Sequence, residues 1–407
     1  MFNFNALVMS LLNGMATQIS YIFLEKLQKK PPTTEKCTTS STGRRKSYRV
    51  QNSKKRYYRL MGTPSAETFE FTSVIMAIRN EEENITATLD ALAAQTCALG
   101  SYELVIADGC STDRTLELVT SFAAAQKEKG LTVTILENSG QSAAAGLNQA
   151  LQSANGSVIV RVDGHTTVAT DYLASVHAVM KASGADCVGG LQIPRSSVSW
   201  GKAYGHATSG YLGSGGADFR SKETARFTDT VYLGAWQRAT FHKFGEFDAS
   251  LERNQDDEHN MRILDGGGRV FLDPAIRSTY RPRESAAALA RQYYSYGLWK
   301  PIVLKRHPRR IRLRHLYPSA LVMLAWAAAV FPSSAFLLLA YVLIIALVSI
   351  TKAWNAKDLA LASFIFATFL IMHFTYGFGF LFGLPRIPLS HLAETSSNET
   401  QPGVSRD

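Results

Sequence analysis

Two clusters of side chains in this 407-residue chain have the types and spacing to do chemistry. The first is Asp163-Gly164-His165, which follows the run Gly156-Ser157-Val158-Ile159-Val160-Arg161-Val162. Val158, Ile159, Val160 and Val162 are β-branched, a pattern that predicts a short strand buried on both faces. A carboxylate and an imidazole separated by one glycine then stand at its C-terminal edge, where open α/β sheets bind ligands. Together they are candidate ligands for a divalent cation. The plainer alternative is a turn at Asp163-Gly164 followed by an ordinary surface histidine. The second cluster is Asn254-Gln255-Asp256-Asp257-Glu258-His259, which opens a helix predicted to run to Gly266. Acids in a first helical turn suit the macrodipole. Five acidic or amide side chains in a row exceed what capping needs.

These clusters need a scaffold, and the sequence supplies one. Strands are predicted at 71–78, 104–107, 133–136, 158–162, 187–193 and 231–235, with helices beginning at Asn84, after Asp113, at Ser142 and at Asp171. Strands alternating with helices at this spacing predict βαβ units, an α/β domain whose mostly parallel sheet is flanked by helices. From Tyr204 to Arg220 glycine and serine dominate, which reads as a loop too long to be idle.

Composition divides the rest. The formal charge of +10 is concentrated near the N-terminus, where residues 26–59 hold twelve Lys or Arg and a single acid, Glu35. That Ser/Thr/Lys/Arg-rich run has few apolar residues and reads as a disordered extension, so nucleic acid is not an expected partner. The first 24 residues lack a basic n-region and do not read as a secretory signal. Four scattered cysteines show neither metal nor disulfide spacing, which points to a reducing compartment. From Lys300 to His315 the chain is again basic, and apolar stretches follow at 317–331, 335–350 and 359–384, each near bilayer length. Basic residues before the first stretch, with Lys352 and Lys357 after the second, place the preceding domain on the cytoplasmic side of a multi-pass inner-membrane protein. The expected organisation is an extension (1–68), a catalytic domain (69–299), a basic juxtamembrane segment (300–316), two to three transmembrane helices (317–384) and a tail (385–407).

With these motifs in order, the chain resembles the family 2 glycosyltransferases of GT-A fold, and within them the succinoglycan-biosynthesis branch. The resemblance is carried by Ser73-Val74-Ile75 with Arg79-Asn80-Glu81-Glu82, and by Asp108-Gly109-Cys110-Ser111-Thr112-Asp113. Asp163-Gly164-His165, Asn254 to Glu258 and Gln292-Tyr293-Tyr294-Ser295-Tyr296-Gly297 follow. It implies that Asp108 binds uracil or ribose and that Ala77, Arg79, Asn80 and Glu82 wall the base pocket of a UDP-sugar donor. It further implies that Asp163 contacts ribose and metal, with His165 where the family usually has the second aspartate of D-x-D. Imidazole suits Mn²⁺ better than Mg²⁺, which prefers oxygen, and either ion would stabilise the leaving UDP. Asp256 falls at the family's catalytic base, Gln255 standing in place of the usual glutamate, and Asp257 is the rival one residue on. Arg and Trp are missing from the Q-x-x-R-W places after Gln292, which counts against a processive polymerase.

The resulting expectation is an inverting, metal-dependent hexosyltransferase of exopolysaccharide biosynthesis. It would move glucose from UDP-glucose to a polyprenyl-diphosphate-linked saccharide, with membrane lipid and other polysaccharide assembly enzymes as partners. The alternatives are a polyprenyl-phosphate glycosyltransferase or a non-catalytic scaffold of polysaccharide assembly, the latter disfavoured by the presence of Asp163 and Asp256. The juxtamembrane block is expected to lie along the bilayer, its arginines holding the acceptor's phosphates; alternatively these charges only fix orientation.

Overall fold

The computed structural model describes residues 70–386, apart from 216, 217 and 221–223. The expectations for the extension at 1–68, and for the tail beyond 386, lie outside the described residues.

Nine strands form one sheet: β1 (Thr72–Ile78), β2 (Tyr102–Asp108), β3 (Thr132–Glu137), β4 (Val158–Arg161), β5 (Thr166–Val168), β6 (Cys187–Pro194), β7 (Arg226–Phe227), β8 (Tyr232–Gln237) and β9 (Val270–Tyr280). Their order is β3-β2-β1-β4-β8-β6-β9-β5, with β7 on β9. The first four strands are mutually parallel, as the βαβ spacing predicts. Beyond β4 the sheet is mixed: β8 runs antiparallel to β4 and β6, and β9 runs parallel to β6.

Period-2 alternation sends successive side chains to opposite faces, and β1, β2 and β4 bury both. On one side Val74, Met76, Leu104, Ile106 and Val160 pack beneath α1 (Ile85–Ala93), α2 (Thr115–Lys127) and α4 (Tyr172–Ser183). On the other, Ile75, Val105 and Ile159 meet α3 (Ala143–Ser153) together with Trp236, Phe241 and Phe247. α3 begins as expected: Ser142 caps it, its hydroxyl accepting from the Ala145 amide at 3.1 Å.

The glycine-rich stretch after Tyr204 is a correction to the sequence reading. It is largely helical, formed by the end of α5 (Ser199–Thr208) and by α6 (Tyr211–Ser214). Its glycines serve close approach: a Cβ on Gly213 would stand 2.1 Å from the Ala207 carbonyl oxygen. Composition alone cannot distinguish that use from loop flexibility.

The remaining helices are α7 (Arg238–Phe244), α8 (Gln255–Asp265), α9 (Ala286–Arg306), α10 (Leu313–Val330), α11 (Ala335–Ala356) and α12 (Leu361–Gly383). α9 runs without a break across the boundary drawn at residues 299 and 300. The segments at 313–330, 332–356 and 361–386 are each long and apolar enough to cross a membrane.

Candidate active site

The C-terminal ends of β1 and β4, the first turn of α8, and α9, α10 and α12 enclose one cavity of about 980 Å³. β4 delivers Arg161 as its last residue, and Asp163, Gly164 and His165 follow in the turn before β5.

Arg161 organises this wall. Its Nε donates to Asp163 Oδ1 at 2.9 Å and its Nη2 lies 2.8 Å from the same oxygen, while Nη1 is 3.5 Å from Asp256 Oδ2. Burial opposes the guanidinium charge, but Asp163 and Asp256 outweigh it and hold the side chain cationic. One buried cation thus joins the carboxylates of the two sequence motifs. Sequence reasoning passed over it, although an arginine closing the run Val158-Ile159-Val160 was a visible signal.

His165 Nδ1 lies 2.8 Å from Glu81 Oε1. Burial disfavours the imidazolium, but the hydrogen bond and charge of Glu81, with Asp163 nearby, raise the pKa above its ordinary value. A histidine oriented through Nδ1 by a carboxylate presents Nε2, the arrangement that second-shell carboxylates give to metal-binding imidazoles. Among the described residues, no three His, Cys, Asp or Glu side chains gather as a metal cage. Asp163 and His165, the candidate ligands, could hold an ion only as a partial set. Such a set fits an ion bound by one or two side chains and completed by substrate phosphates.

The expected nucleotide-pocket residues divide. Ala77 and Arg79 line the cavity, as does Glu81. Asn80, Glu82 and Asp108 instead lace the neighbouring loops. Asn80 Oδ1 accepts from the Thr112 amide at 2.8 Å, Glu82 Oε2 from the Arg114 amide at 3.1 Å, and Asp108 from the Ser111 amide at 3.0 Å and from its hydroxyl. The first turn of α8 also separates its two acids. Asp256 is 39% exposed and accepts from the Asp257 amide through Oδ1 at 2.9 Å, leaving Oδ2 on the Arg161 side. Asp257 forms a salt bridge with the nearly buried Lys300 of α9. Burial alone would raise the Asp257 pKa, but Lys300 holds it below the ordinary carboxylate range.

Several side chains of the basic juxtamembrane segment pair with acids of the catalytic domain. Arg306 pairs with Asp248, Arg310 with Asp265, and Arg312 and Arg314 share Asp229. His307 stands between Asp265 Oδ2 at 2.7 Å and Glu258 Oε1 at 3.3 Å. These side chains clamp the segment to the catalytic domain.

Three amides on the cavity wall, Asn138, Gln192 and Gln292, each carry a buried carbonyl oxygen without a partner. Arg220 lies over the Tyr204 ring at 5.7 Å and 3.3 Å from the Tyr293 hydroxyl, and makes no ion pair among the described residues. Such a wall suits a ligand rich in hydroxyls and carrying an anionic group.

Residues 73–244 match the family described as glycosyl transferase family 2. The succinoglycan biosynthesis protein ExoA of Rhizobium meliloti is 26% identical over 257 residues, covering 63% of this chain and 76% of that protein. A dolichyl N-acetyl-alpha-D-glucosaminyl phosphate 3-beta-D-2,3-diacetamido-2,3-dideoxy-beta-D-glucuronosyltransferase of Methanococcus voltae is 26% identical over 243 residues, 58% of this chain and 74% of that protein. Among solved structures, the mannosyltransferase PcManGT from Pyrobaculum calidifontis, in complex with GDP-Man and Mn²⁺, superposes with a TM-score of 0.52. That alignment is at 19% identity and covers 79% of this chain and 94% of that one, a likeness of fold. The curled mixed sheet with flanking helices is the GT-A architecture expected from the sequence.

Proposed function

From the match of residues 73–244 to glycosyl transferase family 2, we propose that the chain is a membrane-anchored, inverting hexosyltransferase. It takes its sugar from a nucleoside diphosphate donor, UDP-glucose being the first candidate, and transfers it to a lipid-linked saccharide in exopolysaccharide assembly. The relatives act in succinoglycan biosynthesis and on a dolichyl-phosphate-linked sugar, which supports an acceptor of this class. The three apolar helices support an inner-membrane location with the catalytic domain on the cytoplasmic side.

One observation carries the reading: the Arg161 guanidinium reaches both Asp163 and Asp256. It sets a donor-side carboxylate and an acceptor-side carboxylate on one wall of one cavity. Asp163 and His165 would hold a divalent cation, Mn²⁺ or Mg²⁺, beside the donor's diphosphate end. When bound, such an ion neutralises the diphosphate and favours its departure as a Lewis acid. Asp256 receives the proton of the acceptor hydroxyl as that oxygen bonds to the anomeric carbon and the bond to the diphosphate breaks. Arg161 orients Asp256. Asp257 is committed to Lys300 and serves to hold α8 on α9.

Detergent-solubilised protein incubated with a panel of nucleotide sugars should release nucleoside diphosphate from one preferred donor, and excess EDTA should abolish the release. Full turnover in EDTA would remove the cation from this account. No release from any donor, with or without acceptor lipid extract, would refute the transferase reading.

A further inference from the structure

Of the three helices long enough to cross a bilayer, α12 is the one whose surroundings do not suit a crossing. Its 23 residues span about 34 Å, close to the ~30 Å hydrocarbon core. A crossing would therefore put its two ends on opposite membrane faces. Both halves instead rest on the catalytic domain. In the first half, Ile365, Phe369 and Met372 share a buried cluster with Ala203, Tyr204 and Ala207 of α5, and Phe364 meets the Trp200 ring edge-on at 5.2 Å. In the second half, a Cβ on Gly379 would lie 2.1 Å from the Tyr294 carbonyl oxygen, and one on Gly383 2.3 Å from that of Leu298. Phe380 joins Leu251, Met261, Val303 and Leu304 in a second buried cluster.

The helices beneath α12 carry charge. α5 exposes Lys202, and α9 exposes Arg291 and pairs Lys300 and Arg306 with Asp257 and Asp248 of the catalytic domain. Helices bearing these groups do not run beside a span through hydrocarbon. α11 is the opposite case. Phe336, Leu343, Leu347 and Trp354 are 59–75% exposed, and only 11% of its apolar window is buried, against 44% for α12. By Lys352, whose Nζ donates to Ser209 Oγ at 3.1 Å, the chain has returned to the catalytic domain, before α12 begins.

We propose that α12 lies in the membrane plane as the roof of the cleft, and that among the described helices only the α10–α11 hairpin crosses the bilayer. The underside of α12 supplies Met372, His373 and Tyr376 to the cavity. His373 pins the roof in place: Nε2 lies 2.7 Å from the Tyr317 hydroxyl and 2.9 Å from the Leu212 carbonyl oxygen, and Nδ1 lies 2.8 Å from the Tyr341 hydroxyl. The cleft then adjoins the lipid headgroup layer, so a membrane-held acceptor reaches it without leaving the interface. This inference rests on the membrane anchoring proposed above.

Reporter fusions to the full chain in a bacterial host test it. Green fluorescent protein fused after Asp407 should fluoresce, and alkaline phosphatase there should be silent, because the chain end stays on the catalytic side. Phosphatase inserted at Ser333, between α10 and α11, should be active. An active phosphatase after Asp407 makes α12 a third span and overturns the proposal. A silent Ser333 insertion overturns it too, provided the same insertion retains nucleoside diphosphate release and is therefore folded. For an insertion that loses this activity, a Ser333→Cys variant replaces it: labelling by an impermeant maleimide only from the periplasmic face is expected, and labelling only from the catalytic side overturns the proposal. Release of the unmodified chain by alkaline carbonate would sink the anchoring itself, a failure distinct from a misplaced α12.

Discussion

Replacing Asp256 with asparagine keeps the shape and removes the charge that the proposed chemistry needs. Asp256 is 39% exposed and its contact to Arg161 is 3.5 Å, so the lost ion pair costs at most about 1 kcal/mol of stability. An amide oxygen can still accept from the Asp257 amide, which preserves the start of α8. Loss of a general base costs ~10²–10⁴-fold in rate, or about 2.7–5.4 kcal/mol at the transition state. Asp257→Asn acts differently, because it strands the nearly buried Lys300 ammonium. Breaking one side of such a pair costs about 3–5 kcal/mol of stability. The assay measures donor affinity, transfer rate and thermal midpoint for both variants in detergent. Asp256→Asn should bind donor and melt like the parent while transferring at least a hundredfold more slowly. Asp257→Asn should melt earlier. If Asp257→Asn is stable and inactive while Asp256→Asn transfers normally, the roles are reversed and the argument from Arg161 fails.

Three further outcomes follow from the same contacts. Glu81→Gln, which loosens the orientation of His165, should raise the Mn²⁺ concentration for half-maximal turnover by about 10–100-fold; an unchanged Mn²⁺ titration would separate His165 from the ion. His307, set between Glu258 and Asp265, loses hydration on burial but gains more from these acids, so its pKa lies above 6.5. Its contribution to stability is complete below about pH 6.5 and fades as pH rises through the higher folded value. The thermal midpoint should fall with pH above that range in the parent and more weakly in His307→Gln, and parallel pH profiles would refute this. Gly379→Ala forces a Cβ against the Tyr294 carbonyl and should cost about 1–3 kcal/mol by overpacking. Gly100→Ala, with open space at the Cβ position, is the control, and equal thermal midpoints for the two variants would contradict the close packing of α9 and α12.

Six of the nine strands among the described residues were legible because their apolar runs are short and bounded, Thr72–Ile78 and Tyr102–Asp108 lying within a residue or two of the sequence-based limits. The strands β5, β7 and β9 were not predicted. The turn after β4 was legible for the same reason, since Asp163 follows a short β-branched run that reads as a buried strand. What the sequence hid is pairing across long separations. Glu81 and His165 are 84 positions apart, and nothing in either motif selects Glu81 over Glu82. Lys300 and Asp257, 43 apart, likewise read as a juxtamembrane charge and a capping acid until α9 sets them together. Arg306, Arg310, Arg312 and Arg314 looked free because their acid partners, Asp229, Asp248 and Asp265, are scattered through the catalytic domain. Apolar composition reported that α12 is hydrophobic, but not that glycines at 377, 379 and 383 seat it on other helices.

The central claim is a single displacement, with Asp256 taking the acceptor proton opposite a departing diphosphate. The anomeric configuration of the product tests it most directly. Once the donor panel has identified the sugar, the first transferred product should be analysed by proton NMR before any mutarotation. The account predicts inversion, a β-linked sugar from an α-linked nucleotide donor. A product that retains the donor's configuration would contradict it.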